Sequence, residues 1–149
     1  AETFRIIQGT EIWEEHGEWI QQVKPTFGQA IAGRFQTAST LKRNDAKRCV
    51  EIQKKIRSFL YTLLDEDGLI IIPTAHNVAP TLNANSNALD ENRLKNMQLT
   101  CIAGLGGLPQ ITLPLTSIDN KPIGLSLIAN HGQDKQLLEW STKFMKSFV

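Results

Sequence analysis

Cysteine is nearly absent. Cys49 and Cys101 are the only two in 149 residues, and they form no CxxC pair. That excludes a disulfide scaffold and a zinc-ribbon spacing. Both fall in helix-like stretches, where they read as two buried reduced thiols, with a single disulfide as the alternative. Reduced thiols suit a cytoplasmic protein. Histidine is also scarce: His16, His76 and His131 stand far apart, and no HExxH pattern joins them. No metal site is expected. Long apolar runs are missing. The longest, Leu69 to Ile72, falls far short of the roughly 20 residues of a membrane helix, so no membrane partner is expected. Ten Gly and six Pro are too few for a collagen-like or linker-like chain. The N-terminus lacks the basic-then-apolar order of a signal peptide. It also lacks an initiator Met and opens in a helix-like pattern, so the chain is expected to be cut from a longer polypeptide.

Charge of one sign is missing as well. Sixteen basic and fifteen acidic residues leave a net +1, which argues against a nucleic-acid partner. The distribution is uneven. Residues 1–23 hold five Glu and one Arg, whereas residues 24–66 hold nine basic and four acidic residues. Two differently charged helical faces account for this. Hydrophobic residues at 41% and charged residues at 21% describe ordinary globular material, and 149 residues suit one domain.

Trp13, His16, Trp19–Ile20 and Val23 recur at the helical period, and Gly9 and Gly17 are expected to weaken or split that helix. Lys24-Pro25 ends it. Thr26 is expected to cap a second helix carrying Phe27, Ile31 and Phe35. Asn44 or Asp45 is expected to cap a long third helix with a stripe of Cys49, Ile52, Ile56, Phe59–Leu60 and Leu63–Leu64. Leu69 to Ile72 is β-branched without alternation and reads as a central strand buried on both faces. Residues 75–88 lack any hydrophobic period and form a long loop, a kind that is usually functional or disordered. Leu89 to Ala103 reads as a helix broken by Gly104, Gly106 and Gly107. Gln110–Leu115 and Ile123–Ala129 flank a turn at residues 119–122 and make a hairpin. Asp134 opens a last helix with Leu137–Leu138, Trp140–Ser141, Phe144–Met145 and Phe148 inward. The whole is an α/β chain with a mixed β-sheet and flanking helices. About three strands leave open edges, at Leu69 and at Ile123.

No GxSxG elbow and no P-loop are present. Ser39-x-x-Lys42 matches an SxxK pattern, but its SDN and KTG companions are missing, so it reads as a solvated helix end. The 104–107 glycines do not follow a strand, so they fail the dinucleotide-loop context and no cofactor is expected. His76 lies just past the C-terminal end of the apolar strand, where open α/β sheets place ligand-binding groups.

Several segments together resemble the amidase signature hydrolases. Cys101-Ile-Ala-Gly-Leu-Gly-Gly-Leu-Pro-Gln-Ile-Thr-Leu-Pro114 resembles that family's C-terminal glycine, Leu-Pro and short strand. Lys121-Pro-Ile-Gly-Leu-Ser-Leu-Ile128 is similar to its Pro-x-Gly-Leu-x strand, and Ile70-Ile-Ile-Pro-Thr74 to its strand ending in Pro-Thr. Gln133 to Leu138 resembles the opening of its last helix, and Phe27-Gly28 with Arg34 its Gly…Arg helix region. The pieces occur in family order across nearly the whole chain. The Ala-Gly stretch with its inserted small-residue turn, Gly104-Leu-Gly-Gly-Leu108, is most like the indole-3-acetamide hydrolase type of plant and bacterial amidases. Cys101 stands near where many amidases carry Asn.

The resemblance implies that residues 1–149 are the C-terminal segment of an amidase signature α/β/α domain. The parent would hydrolyse a carboxamide to acid and ammonia with a lysine, a cis-serine and a nucleophilic serine. A neutral lysine would take the serine proton through the bridging serine, and backbone N–H groups would stabilise the oxyanion. The Gly/Ser-rich segment that carries the serines is missing here, so no catalytic residue is assigned and the chain alone should be inactive. The family builds its pocket from loops at the sheet ends, which makes Thr74, His76, Asn77, Gly104, Gly106 and Gly107 the pocket candidates, expected to line one cleft. The implied partners are a small-molecule amide and the N-terminal half of the same polypeptide. Without that half, the apolar residues Trp13, Trp19, Phe27, Phe35, Phe59, Trp140 and Phe144 should drive self-association. Some amidase-like domains, one in a chloroplast protein-import receptor among them, no longer hydrolyse amides. A non-catalytic interaction domain is therefore the alternative, and a free-standing small binding domain a third.

Overall fold

A computed structural model describes residues 1–147; Phe148, expected on the inner side of the last helix, lies outside them. The elements run α1 (Glu2–Val23), α2 (Gln29–Ser39), α3 (Arg43–Leu64), β1 (Ile70–Pro73), α4 (Ser86–Gly106), β2 (Gln110–Ile118), β3 (Lys121–Ile128) and α5 (Asp134–Lys146). No described helix is long and apolar enough to cross a membrane. The residues group into two compact units, Ala1–Lys55 and Ile56 onward, with α3 running from one into the other.

In the first unit α1 is one helix, unbroken at Gly9 and Gly17. Trp13 lies over Gly17, where an added Cβ would meet the indole at 2.9 Å. Lys24 ends the helix in a left-handed cap, its N–H donating to Ile20 O. Thr26 does not cap α2. Gly28 takes that place, and its carbonyl receives the N–H groups of Ile31 and Ala32. Phe27 connects the two helices: its ring meets Trp19 edge-on at 6.3 Å and Phe35 at 4.8 Å. The third helix starts at Arg43, so Asn44 and Asp45 occupy its first turn, where an acidic side chain suits the positive helix end.

In the second unit the sheet order is β1-β3-β2, and both pairings are antiparallel. Helices with a small sheet bear out the α/β class. β3 is the central strand, so the open edges belong to β1 and β2 rather than to the strand of Ile123. The run Leu69 to Ile72 is not buried on both faces: Ile71 is 52% exposed while Ile70 and Ile72 pack inward. The cause is position. At an edge, β1 is covered on only one face. Asp119 and Asn120, both left-handed, close the β2–β3 hairpin, with a backbone twist that matches paired strands.

Each face of the sheet has its own core. The Ile70, Ile72 and Ile128 face meets Leu60 and Leu64 of α3 and Ala103 of α4, with Leu108 beside them. The opposite face, with Ile111, Leu113 and Leu127, packs on Leu137, Trp140 and Phe144 of α5. Leu138, expected inward, is exposed, and so are Phe59 and Leu63 of the α3 stripe. Both cysteines are buried and free.

Candidate functional site

The first group of expected pocket residues leaves the C-terminal end of β1. Thr74 continues the strand, its N–H donating to Gly124 O at 2.8 Å. His76 is tied down on the next turn. Its backbone N–H donates to Asn96 Oδ1 at 2.9 Å, and its Nδ1 lies 3.2 Å from the same oxygen. That anchors the loop to the middle of α4. Asn77 is exposed, and its side chain is spent on the loop itself, accepting the N–H of Val78 at 2.8 Å. Lys95, the residue before Asn96, bridges Glu91 one turn earlier at 2.7 Å. The Glu91 carboxyl is held below its ordinary range, first by that hydrogen bond and least by the His76 charge.

The glycines form a second group, at the far end of α4. The helix does not break at Gly104 or Gly106; both are helical, and it ends at Gly107 with φ 64°. Only glycine takes that left-handed cap without strain. An added Cβ at Gly106 would meet Leu108 Cγ at 2.7 Å and Leu60 Cδ1 at 3.0 Å. Its smallness therefore serves the core. Gly107 O lies 3.0 Å from His131 Nδ1, and the His131 ring stacks on Tyr61.

The two groups do not come together into one cleft. Gln110, which follows the glycine turn, aligns with Ile70 across Ile128, at the start of both outer strands. Thr74 leaves the other end. Asn96, which holds His76, precedes Gly106 by ten residues of helix, about 15 Å at 1.5 Å per residue.

A third group was not expected from the sequence. Thr74, Gln110, Thr112, Gly124 and Ser126 share one face of the sheet. Ser126 is fully buried. Its Oγ lies 2.8 Å from Thr74 Oγ1 and 3.2 Å from Thr112 Oγ1, and accepts from Gln110 Nε2 at 3.0 Å. Gly124 makes this possible: a Cβ there would meet Thr112 Cγ2 at 2.6 Å and Thr74 Oγ1 at 2.7 Å. The available signal was the i, i+2 spacing of Gln110 and Thr112 on a strand otherwise facing apolar partners. It sets the strand but does not say that Ser126, from the next strand, lies between them and β1.

Among the described residues no group of three His, Cys, Asp or Glu side chains could hold a metal ion.

A model of the family described as Amidase matches residues 14–138. Amidase 1 of Arabidopsis thaliana is 36% identical over 93% of this chain and 32% of its own length. The mitochondrial Outer envelope protein 64 of the same plant is 34% identical over 89% of this chain and 22% of its own. An amidase crystal structure superposes with a TM-score of 0.88 at 18% identity, covering 99% of this chain and 35% of that one. Allophanate hydrolase of Kluyveromyces lactis gives a TM-score of 0.81 at 15% identity over 98% of this chain and 25% of its own. These structures share the fold. The chain spans about a third or less of the length of these relatives.

Proposed function

The chain belongs to the amidase family, and from that premise we propose that it is the C-terminal segment of an amidase signature domain that hydrolyses a carboxamide. The observation that carries this reading is the match to the Amidase family over residues 14–138 together with 36% identity to Amidase 1. Water adds across the amide C–N bond in two steps. A serine attacks the carbonyl, ammonia leaves with the proton relayed through lysine, and water then releases the acid from the acyl-serine. The Ser-cisSer-Lys set lies outside these 149 residues. This chain supplies a wall of the pocket through Thr74, His76 and Asn77 at the end of β1, while Gly104, Gly106 and Gly107 shape the α4 turn at the other end of the sheet. The substrate is a small amide, and the other partner is the rest of the same polypeptide. The compartment that fits the two free thiols is the cytoplasm.

A second reading has its own support. The mitochondrial and chloroplastic Outer envelope proteins 64 are 34% and 30% identical to the chain. A non-catalytic amidase-like interaction domain fits that similarity equally in kind. The whole reading frame separates the two. An upstream Gly/Ser-rich segment preceded by a lysine, with ammonia released from benzamide or indole-3-acetamide by the encoded protein, supports the hydrolase. A folded protein with neither supports the interaction domain.

A further inference from the structure

The N-terminal unit holds its opposite charges apart. Residues 1–23 carry five Glu and one Arg, while α3 carries six basic residues against Asp45 and Glu51. Between α1 and α3 runs a groove of about 550 Å³, lined wholly by residues of that unit. Ile7, Glu11 and Glu14 line it from α1, and Arg43, Lys47 and Val50 from α3. Each set steps by three or four residues, so each is one stripe along its helix. Ile7 is half-buried, and the other five are exposed. None of the four charged side chains has an ion-pair or hydrogen-bond partner among the described residues. An acidic row and a basic row thus flank one groove without bridging it.

The order of residues in the two stripes says what would fit. Read forward, α1 gives apolar, acidic, acidic. Read backward from Val50, α3 gives apolar, basic, basic. Both stripes span seven residues, about 10 Å of helix. An α1 laid antiparallel on an α3 therefore sets Ile7 on Val50, Glu11 beside Lys47 and Glu14 beside Arg43. Within one chain those charges stay unpaired, so the matching helix comes from elsewhere. The chain itself carries both stripes. We propose that this groove is a self-association surface, in which the α1 stripe of one copy lies antiparallel on the α3 stripe of a second. A two-fold axis makes every such contact twice, because each copy gives an acidic row and receives one. Packed helices lie about 8–10 Å apart, within reach of Glu and Lys side chains. Exposed ion pairs are individually weak, so the association is salt-sensitive. This interface stands apart from the amide chemistry, and it is distinct from the exposed Phe59 and Ile71.

The test is the dimer dissociation constant of the 149-residue chain, measured by sedimentation. Raising NaCl from about 0.1 M to about 1 M shortens the screening length from about 10 Å to about 3 Å. That should weaken association about tenfold, whereas apolar contacts do not weaken in this way. Glu11→Lys with Glu14→Lys sets basic rows against each other and should raise Kd by about tenfold or more. Arg43→Glu with Lys47→Glu sets acidic rows together and should do the same. Asp90→Lys with Glu139→Lys gives the first variant's net charge at exposed positions outside the N-terminal unit. It should leave Kd within about twofold. All four groove substitutions together exchange the rows at unchanged net charge and should restore association. Circular dichroism should show every variant folded, since the substituted side chains are exposed. A monomer at every concentration overturns the interface. So does a Kd that salt and both reversals leave in place, which would assign the association to the apolar residues instead. An equal loss in the Asp90 and Glu139 variant, or no recovery in the quadruple variant, overturns it as well.

Discussion

At Gly124 three strands bring hydroxyl side chains together, and a methyl group has no room. A Cβ would lie 2.6 Å from Thr112 Cγ2 and 2.7 Å from Thr74 Oγ1. Gly124→Ala should therefore destabilise the fold by about 1–3 kcal/mol, as overpacking does. Urea unfolding checks this through the midpoint. Gly33 is the contrast. It lies inside α2, and nothing stands within 4 Å of an added Cβ. Gly33→Ala should stabilise by about 0.4–1 kcal/mol, because alanine has fewer unfolded conformations to lose. Equal effects of the two substitutions would refute the crowding argument. The exposed Glu91 gives a titration of known sign. Its carboxyl lies below the ordinary value because Lys95 donates to it. A depressed folded value means that the pair contributes above the unfolded pKa and that the contribution is lost as pH falls through the folded one. Lys95→Met should return Glu91 to the ordinary carboxylate range in an NMR titration. At full exposure this stability effect stays small.

At the scale of elements, the C-terminus of α3 and the turn after it are closed by side chains from the loop after β3 and the start of α5. Asn130 Nδ2 donates to Tyr61 O at 3.2 Å and to Asp65 O at 2.6 Å. Gln133 Nε2 donates to Glu66 O, and Gln136 Nε2 to Asp67 Oδ1 at 3.2 Å. The last carbonyls of a helix have acceptor capacity to spare, and this loop supplies donors to Tyr61 O, Asp65 O and Glu66 O. Asn130→Ala removes these two bonds and the one that its Oδ1 accepts from His131 N–H, and should cost about 1–2 kcal/mol in thermal or urea unfolding. A loss below measurement would make the loop a bystander. Every helix and strand was legible from periodicity and turn residues, because those signals are local. What the sequence left open depends on neighbours. The apolar run at β1 specifies two buried faces, but whether a strand lies beside it is a tertiary fact. The glycines after Ala103 read as a breaker, yet Gly104 and Gly106 stay helical because Leu108 and Leu60 close over the latter. Thr74 was legible as a site candidate from its place after a strand. Its link to Ser126, 52 residues on, was not.

At the scale of the whole molecule, the chain leaves large apolar side chains in water. Phe59 is 65% exposed, and Leu63, Ile71 and Trp19 are exposed too. Beside Ile71, a groove of about 610 Å³ is lined by Leu69, Leu127, Trp140 and Phe144. Of the aromatic residues expected at the surface, Trp13, Phe27, Phe35, Trp140 and Phe144 are instead half-buried. Large apolar side chains left in water favour association. The isolated chain should therefore sediment above its monomer mass and bind a hydrophobic dye. Phe59→Lys with Ile71→Lys should reduce both. A clean monomer at high concentration with little dye bound would show these residues to be harmless. The central claim, that this chain completes an amide hydrolase whose chemistry lies elsewhere in the polypeptide, is tested most directly by ammonia release from benzamide. The account predicts release by the protein encoded by the whole reading frame and none above background by residues 1–149. Release by the 149-residue chain alone, or none by the folded whole, would contradict it.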